Sequence, residues 1–193
     1  MQYIAGLFLF VIGAFIGLKL PDFDLAFHWW PLIEHRSLLT HGMLIPLLLF
    51  ATLRQHVVGK QADPRLRLSL MGFLLATAVH LCFDLFPSGW YGMAHIHIPL
   101  LGWVGAFPSG IWIGTGASVS LYLACCLLRR VSEVGLGLLG LAACYGVSAA
   151  HEPRPSFFAL MVLVPLALFA FLLPRRLHDP DSPADEISRW MRS

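Results

Sequence analysis

Three short polar patches interrupt the apolar first half of the chain, and their residue types are those that bind metal ions. They are Pro21-Asp22-Phe23-Asp24, His35-Arg36-Ser37-Leu38-Leu39-Thr40-His41 and His80-Leu81-Cys82-Phe83-Asp84. His80 and Asp84 stand four apart, so on a helix they share one face and can hold one cation or bond each other. Asp22 and Asp24, two apart, reach the same side of an extended turn, where two carboxylates repel unless a cation lies between or beside them. Ser37 is placed to cap a helix, which sets His41 about one turn inside it. Arg36 carries a planar, permanently charged fork suited to a carboxylate or a phosphate, with Thr40 four residues further along the same face.

Each patch alone has a plain structural reading: a His–Asp pair bracing two helices, a Pro-Asp turn ending one, and histidines and an arginine anchored at an interface. Together they form a mixed nitrogen and oxygen set that suits zinc, manganese or iron. Ligands drawn from three segments leave a position open for water. A cation there lowers the pKa of a bound water and offsets charge developing on a substrate, while a spare histidine moves the proton. His95 and His97, in Met93-Ala94-His95-Ile96-His97-Ile98-Pro99, point the same way from an extended segment. They either complete a second metal position, line the approach to the site, or stand as solvated histidines, and His28 is similarly placed.

The elements that must position these groups are membrane spans. Of 193 residues, 58% are hydrophobic and 12% charged, with a mean hydropathy of +0.73, which excludes an ordinary soluble domain. A transmembrane helix needs about 20 mostly apolar residues. Six segments answer to this: Ile4 to Leu20, Leu38 to Leu53, Leu68 to Phe86, Ile111 to Leu128, Val134 to Ala150 and Phe157 to Leu173. The first lacks a basic flank and a cleavage site and reads as a retained span. Residues 87–110 are apolar but broken by Gly and Pro, which predicts an interfacial or re-entrant loop between spans three and four. The expectation is an all-α polytopic bundle, a single transmembrane domain over 1–173 with a polar cytoplasmic tail at 174–193.

Lys and Arg counts set the orientation, because the richer side is normally cytoplasmic. Ten lie on one side, Arg54, Lys60, Arg65, Arg67, Arg129, Arg130, Arg175, Arg176, Arg189 and Arg192, against Lys19, Arg36 and Arg154 on the other. Both termini are therefore expected in the cytoplasm and all three polar patches at the outer face, where Trp29, Trp30, Trp90, Tyr91 and Trp103 also fall. Gly135-x-Gly137-xx-Gly140 matches a dinucleotide-binding pattern, but it follows no strand and lies in a hydrocarbon-length run. Close helix packing explains it, as it does Gly110-xxx-Gly114. The four cysteines all sit in apolar runs without zinc or redox spacing. A formal charge of +2 with no basic stripe gives no reason to expect nucleic acid.

The patches Pro21-Asp22-Phe23-Asp24, His35-Arg36-(x3)-Thr40-His41 and His80-(x3)-Asp84 resemble the PDxD, HRxxTH and HxxxD signatures of the YdjM-type membrane-bound family. Its members are described as LexA-binding, inner-membrane metal-dependent hydrolases. The resemblance covers roughly residues 10–100 in motif order and position relative to the spans, with one residue more between Arg36 and Thr40 than the signature has. It implies a bacterial inner-membrane protein whose quoted residues bind metal. The HxxxD piece is also similar to part of the zinc ligation in phospholipase C and P1-nuclease type enzymes, which points toward phosphoester hydrolysis. From about Ile111 onward there is no such likeness.

The sequence thus predicts a membrane-bound hydrolase with a divalent metal, zinc first and manganese or iron as alternatives. Its substrate is a phosphoester or a lipid-linked compound at the outer face of the cytoplasmic membrane. The expected ligands are Asp22, Asp24, His41, His80 and Asp84; Arg36 binds the anion, and His35 transfers a proton or adds a ligand. The competing reading is a metal- or proton-handling transporter without catalysis. Such sites tend to lie near the midplane within repeated halves, whereas these residues lie at span ends and the second half repeats none of the motifs.

Overall fold

The computed structural model describes residues 2–27, 36–58, 62–87, 94–151 and 157–172. His28, His35, Trp29, Trp30, Trp90, Tyr91, Arg154 and the tail lie outside these residues. The protein is mostly helical: α1 (Gln2–Lys19), a short 3-10 helix (Pro21–Phe27), α2 (Leu44–Val57), α3 (Pro64–Asp84), α4 (Ala106–Cys126), α5 (Val131–His151) and α6 (Phe157–Leu172). Two two-residue strands, β1 (His97–Ile98) and β2 (Gly102–Trp103), pair antiparallel between α3 and α4. The helices α3, α4 and α5 are long and apolar enough to cross a membrane. The first helix joins them if it is counted with the 3-10 helix, from which it is bent by 54°.

Local chemistry sets these boundaries. Pro21 follows α1 and cannot continue it, so the chain turns at Leu20. Asp63 caps α3, its side chain accepting from the backbone N–H of Arg65 at 2.8 Å, with Pro64 at the first helical position. The second helix begins at Leu44, six residues later than the hydropathy of Leu38 to Leu53 predicts. Pro46 explains the shift. In a helix starting at Leu38 it would break the interior ladder, whereas in the first turn its missing N–H costs nothing. At about 1.5 Å per residue, α2 is then about 21 Å long, short of the roughly 30 Å hydrocarbon thickness. The residues this releases, 38–43, form with Arg36 and Ser37 an irregular loop at the site.

The third helix is the axis of the molecule. From Leu70 to Val79 every residue is buried, and its neighbours surround it. Along one side runs α1, in the same direction. A Cβ on Gly72 would meet the Phe10 carbonyl oxygen at 2.2 Å, and one on Gly13 the Ser69 carbonyl oxygen at 2.0 Å, so the two backbones touch. Leu75 lies near Gly137 and the Phe83 ring is 5.3 Å from that of Tyr145, which makes α5 parallel to α3 as well. Arg67 near the start of α3 meets Leu127 just past α4, and Leu81 meets Gly116, so α4 runs antiparallel. Likewise Phe86, just past α3, stacks near Phe158 at the start of α6.

The segment between α3 and α4 departs from an all-helical expectation, since its described part is a small hairpin. Gly102 supplies a positive φ of 86° at the turn, and Leu100 and Leu101 at its tip are exposed. Its β1 strand pairs with residues 36–38: the His97 N–H donates to the Arg36 carbonyl at 2.9 Å, and the Leu38 N–H donates to the His97 carbonyl at 3.0 Å. This backbone clasp fixes the loop that carries Arg36, Thr40 and His41.

Candidate metal centre

Three structural elements deliver the site. The bend after α1 brings Asp22 and Asp24 over the end of α3, where His80 and Asp84 share one face one turn apart. The 36–43 loop inserts His41 between them. Gly42 is what lets it approach, because a Cβ there would meet the Trp112 indole nitrogen at 2.1 Å, and the same indole N–H donates to the Leu38 carbonyl at 3.2 Å. Ser37 does not cap α2. Its hydroxyl lies 2.9 Å from that of Thr40, and its carbonyl accepts from the His41 N–H at 3.1 Å, closing a turn within the loop.

Asp22, His41 and His80 each present one ligand atom, and these atoms lie within 4.8 Å of one another. His41 Nε2 is 3.2 Å from Asp84 Oδ2, His80 Nε2 is 3.0 Å from the same oxygen, and His80 Nε2 is 3.6 Å from Asp22 Oδ1. Ligands held at about 2.0–2.2 Å from one ion are themselves about 2.8–3.6 Å apart, so these spacings are those of a single coordination sphere. A second observation points the same way. His80 Nε2 and Asp84 Oδ2 are buried and close, yet no hydrogen bond satisfies either atom. Buried polar atoms converging on one point without bonding each other suit a cation between them. The group of two imidazoles and the Asp22 carboxylate, with Asp84 against both imidazoles, offers nitrogen and oxygen donors that zinc, manganese and iron accept.

Asp24 stands one step back. It is 1% exposed, and its Oδ2 accepts from the Thr40 hydroxyl at 2.7 Å and from the Ser37 N–H at 3.2 Å. The same oxygen lies 3.3 Å from His41 Nδ1, with the Thr40 hydroxyl 2.9 Å from that nitrogen. This carboxylate and hydroxyl fix the ring's orientation and keep the proton on Nδ1, which turns the Nε2 lone pair toward His80 and Asp84. Burial alone would lower the His41 pKa, but the Asp84 and Asp24 carboxylates raise it to about 9. A cation arriving at Nε2 therefore competes with a proton.

Arg36 adopts a left-handed backbone conformation, φ 60°, and places its Nε 3.6 Å from Asp84 Oδ1, on the side of that carboxylate away from the histidines. His97 is buried with its ring 5.3 Å from that of Trp103; its backbone holds the site loop, and His95 is half-buried nearby. Neither joins the ligand group found among the described residues. Beside the cluster opens a cavity of about 380 Å³ lined by Asp22, Arg36, His80 and Asp84 together with Lys19, Ser148 and His151. The α5 contribution to this cavity was not visible in the sequence, where no motif marks Ser148 or His151.

A further buried pair was also missed. Arg67 forms a bidentate ion pair with Glu133, Nη1 to Oε2 at 2.7 Å and Nη2 to Oε1 at 2.6 Å, and its Nη1 also donates to the Leu127 carbonyl at 2.6 Å. In the sequence, Arg67 counts only as an orienting charge. The signal available was Glu133, an acidic group flanking the next predicted span on the same side. The pair lies at the opposite end of α3 from Asp84, seventeen residues or about 26 Å away.

Comparison with protein-family models, curated proteins and solved structures gives no match.

Proposed function

We propose that this protein is an integral membrane, metal-dependent hydrolase acting on a phosphoester at the outer face of a bacterial cytoplasmic membrane. The observation that carries the reading is the convergence of Asp22, His41, His80 and Asp84 at ligand spacing, with the unsatisfied atoms of His80 and Asp84 facing each other beside a cavity. The likeness of the three motifs to the YdjM-type family agrees with it. A multi-span bundle is supported by the alternating directions of α3, α4, α5 and α6, with α1 parallel to α3. The exposed Leu100 and Leu101 tip suits a hairpin seated at the interface. Arg54, Arg65, Arg67, Arg129 and Arg130 crowd the end of the bundle away from the site, which supports an outer-face site.

A divalent ion here, zinc first, would polarise a phosphoryl oxygen and lower the pKa of a water. Asp22, His41, His80 and Asp84 hold it, and Asp24 with Thr40 keeps the His41 ring in register. Arg36 braces Asp84 and lines the cavity, where its charge attracts an anionic oxygen. His35 remains a candidate for proton transfer.

The test is elemental analysis of purified protein alongside a screen of phosphatase and phospholipase substrates. Wild type should retain about one divalent ion per chain and turn over at least one phosphoester, while His41→Ala and Asp84→Ala lose both. A wild type that takes up no divalent ion even after reconstitution would sink the proposal.

A further inference from the structure

The cavity beside the cluster has two chemically distinct walls. Its lining joins the His80, Asp84 and Asp22 cluster to Lys19, Arg36 and His151; Lys19 and His151 are exposed, whereas Arg36 is buried as deeply as His80 and Asp84. Its remaining lining includes Phe15, Leu18, Leu25, Phe83 and Val147, of which Phe15, Leu25 and Val147 are exposed apolar side chains. The placement of α1 and α5 explains the shape. They meet at mid-height, where a Cβ on Gly140 would lie 2.6 Å from the Phe10 ring. From there to the site end they line opposite sides of the cavity, Phe15, Leu18 and Lys19 on one and Val147, Ser148 and His151 on the other. The result is a cavity in which exposed apolar side chains and the exposed Lys19 and His151 adjoin the metal-binding cluster.

We infer that this cleft seats a phosphate-bearing acyl lipid that comes in sideways from the membrane. Lys19, Arg36 and His151 contact the phosphate, and Phe15, Leu18 and Val147 contact the first part of the acyl chain. This rests on the hydrolase reading and narrows it, making the substrate a lipid phosphate ester rather than a soluble one. The charge pattern favours an anion. The Asp22 and Asp84 carboxylates belong to the cluster, where a divalent ion would balance them, and Lys19 adds a positive charge beside it. On His151, Nδ1 donates to the Val147 carbonyl at 2.8 Å, which fixes the ring; in the imidazolium form its Nε2–H can donate to a headgroup oxygen. The apolar wall asks for a chain, because a water-soluble ester would leave that surface unused. Neither Lys19 nor His151 belongs to any of the three motifs.

The test is native mass spectrometry of the detergent-purified protein with phosphatidic acid, with diacylglycerol of the same chains and with inorganic phosphate, and with metal content measured on the same samples. Wild type should retain phosphatidic acid at least about tenfold better than diacylglycerol or phosphate. Val147→Trp, which fills the cleft from its apolar side, and the double substitution Lys19→Gln with His151→Gln should each reduce that retention about tenfold and leave metal content unchanged. Equal retention of phosphatidic acid by wild type and both variants overturns the inference, as does phosphate binding as tight as the lipid. A metal-free wild type that still shows the lipid pattern would remove the hydrolase reading and leave the lipid seat standing. A metal-loaded wild type indifferent to the substitutions would do the reverse.

Discussion

At the scale of single residues, the site separates groups that touch a common point from groups that aim them. Asp22 and Asp24 are two apart and look equivalent in the sequence, yet one faces His80 and the other lies behind His41 against Thr40 and Ser37. The short 3-10 helix causes the split, since it rotates successive side chains about its axis instead of sending both to one side as an extended turn would. Asp24→Asn should therefore keep the fold and weaken metal affinity about 10–100-fold, the usual cost of losing a carboxylate behind a ligating histidine. Metal titration of the purified variant checks this, and an unchanged affinity would remove the aiming role. Residue types and spacings exposed the whole cluster, because His and Asp are conspicuous in apolar sequence. They did not expose the rank order within it, which depends on a bend of the backbone.

Among elements, the decisive contact is between α1 and α3. Asp22 and Asp24 reach His41, His80 and Asp84 only because Gly13 and Gly72 let the two backbones touch. Gly72→Val would drive a side chain into the Phe10 carbonyl, and overpacking of this kind costs about 1–3 kcal/mol. The expected outcome is a lower melting temperature in detergent together with reduced metal retention, since moving α1 carries Asp22 away from His80. Gly146→Ala serves as the comparison, for nothing lies within 4 Å of a Cβ there, and it should change neither quantity. The long helices were legible as apolar runs. The start of α2 was legible in principle from Pro46, but hydropathy alone overran it. The hairpin was not legible, because its strands are two residues long and its pairing with Ser37 spans sixty residues of sequence.

For the molecule as a whole, two polar assemblies sit at opposite ends of one buried helix, and the one at the His80–Asp84 end lines a cavity. Arg67 and Glu133 are 4% and 5% exposed, so breaking the pair strands a buried charge. Glu133→Ala should cost about 3–5 kcal/mol, whereas Arg67→Met with Glu133→Leu should recover most of that. Thermal unfolding in detergent reads both. Metal content should hold in the double variant, because the centre lies about 26 Å away along α3. A loss of metal in that variant would mean that the two ends are coupled.

The ion pair also sets a clock on the nascent chain. Its partners are 66 positions apart, which at about 5–20 residues per second means that Arg67 waits about 3–13 s for Glu133 to be synthesised. All the cluster's ligands have been made by residue 84, but His97, which clasps their loop, and the α5 wall of the cleft have not. The centre can thus gather its ligands early in synthesis, while the structure that holds and roofs them arrives with the second half of the chain.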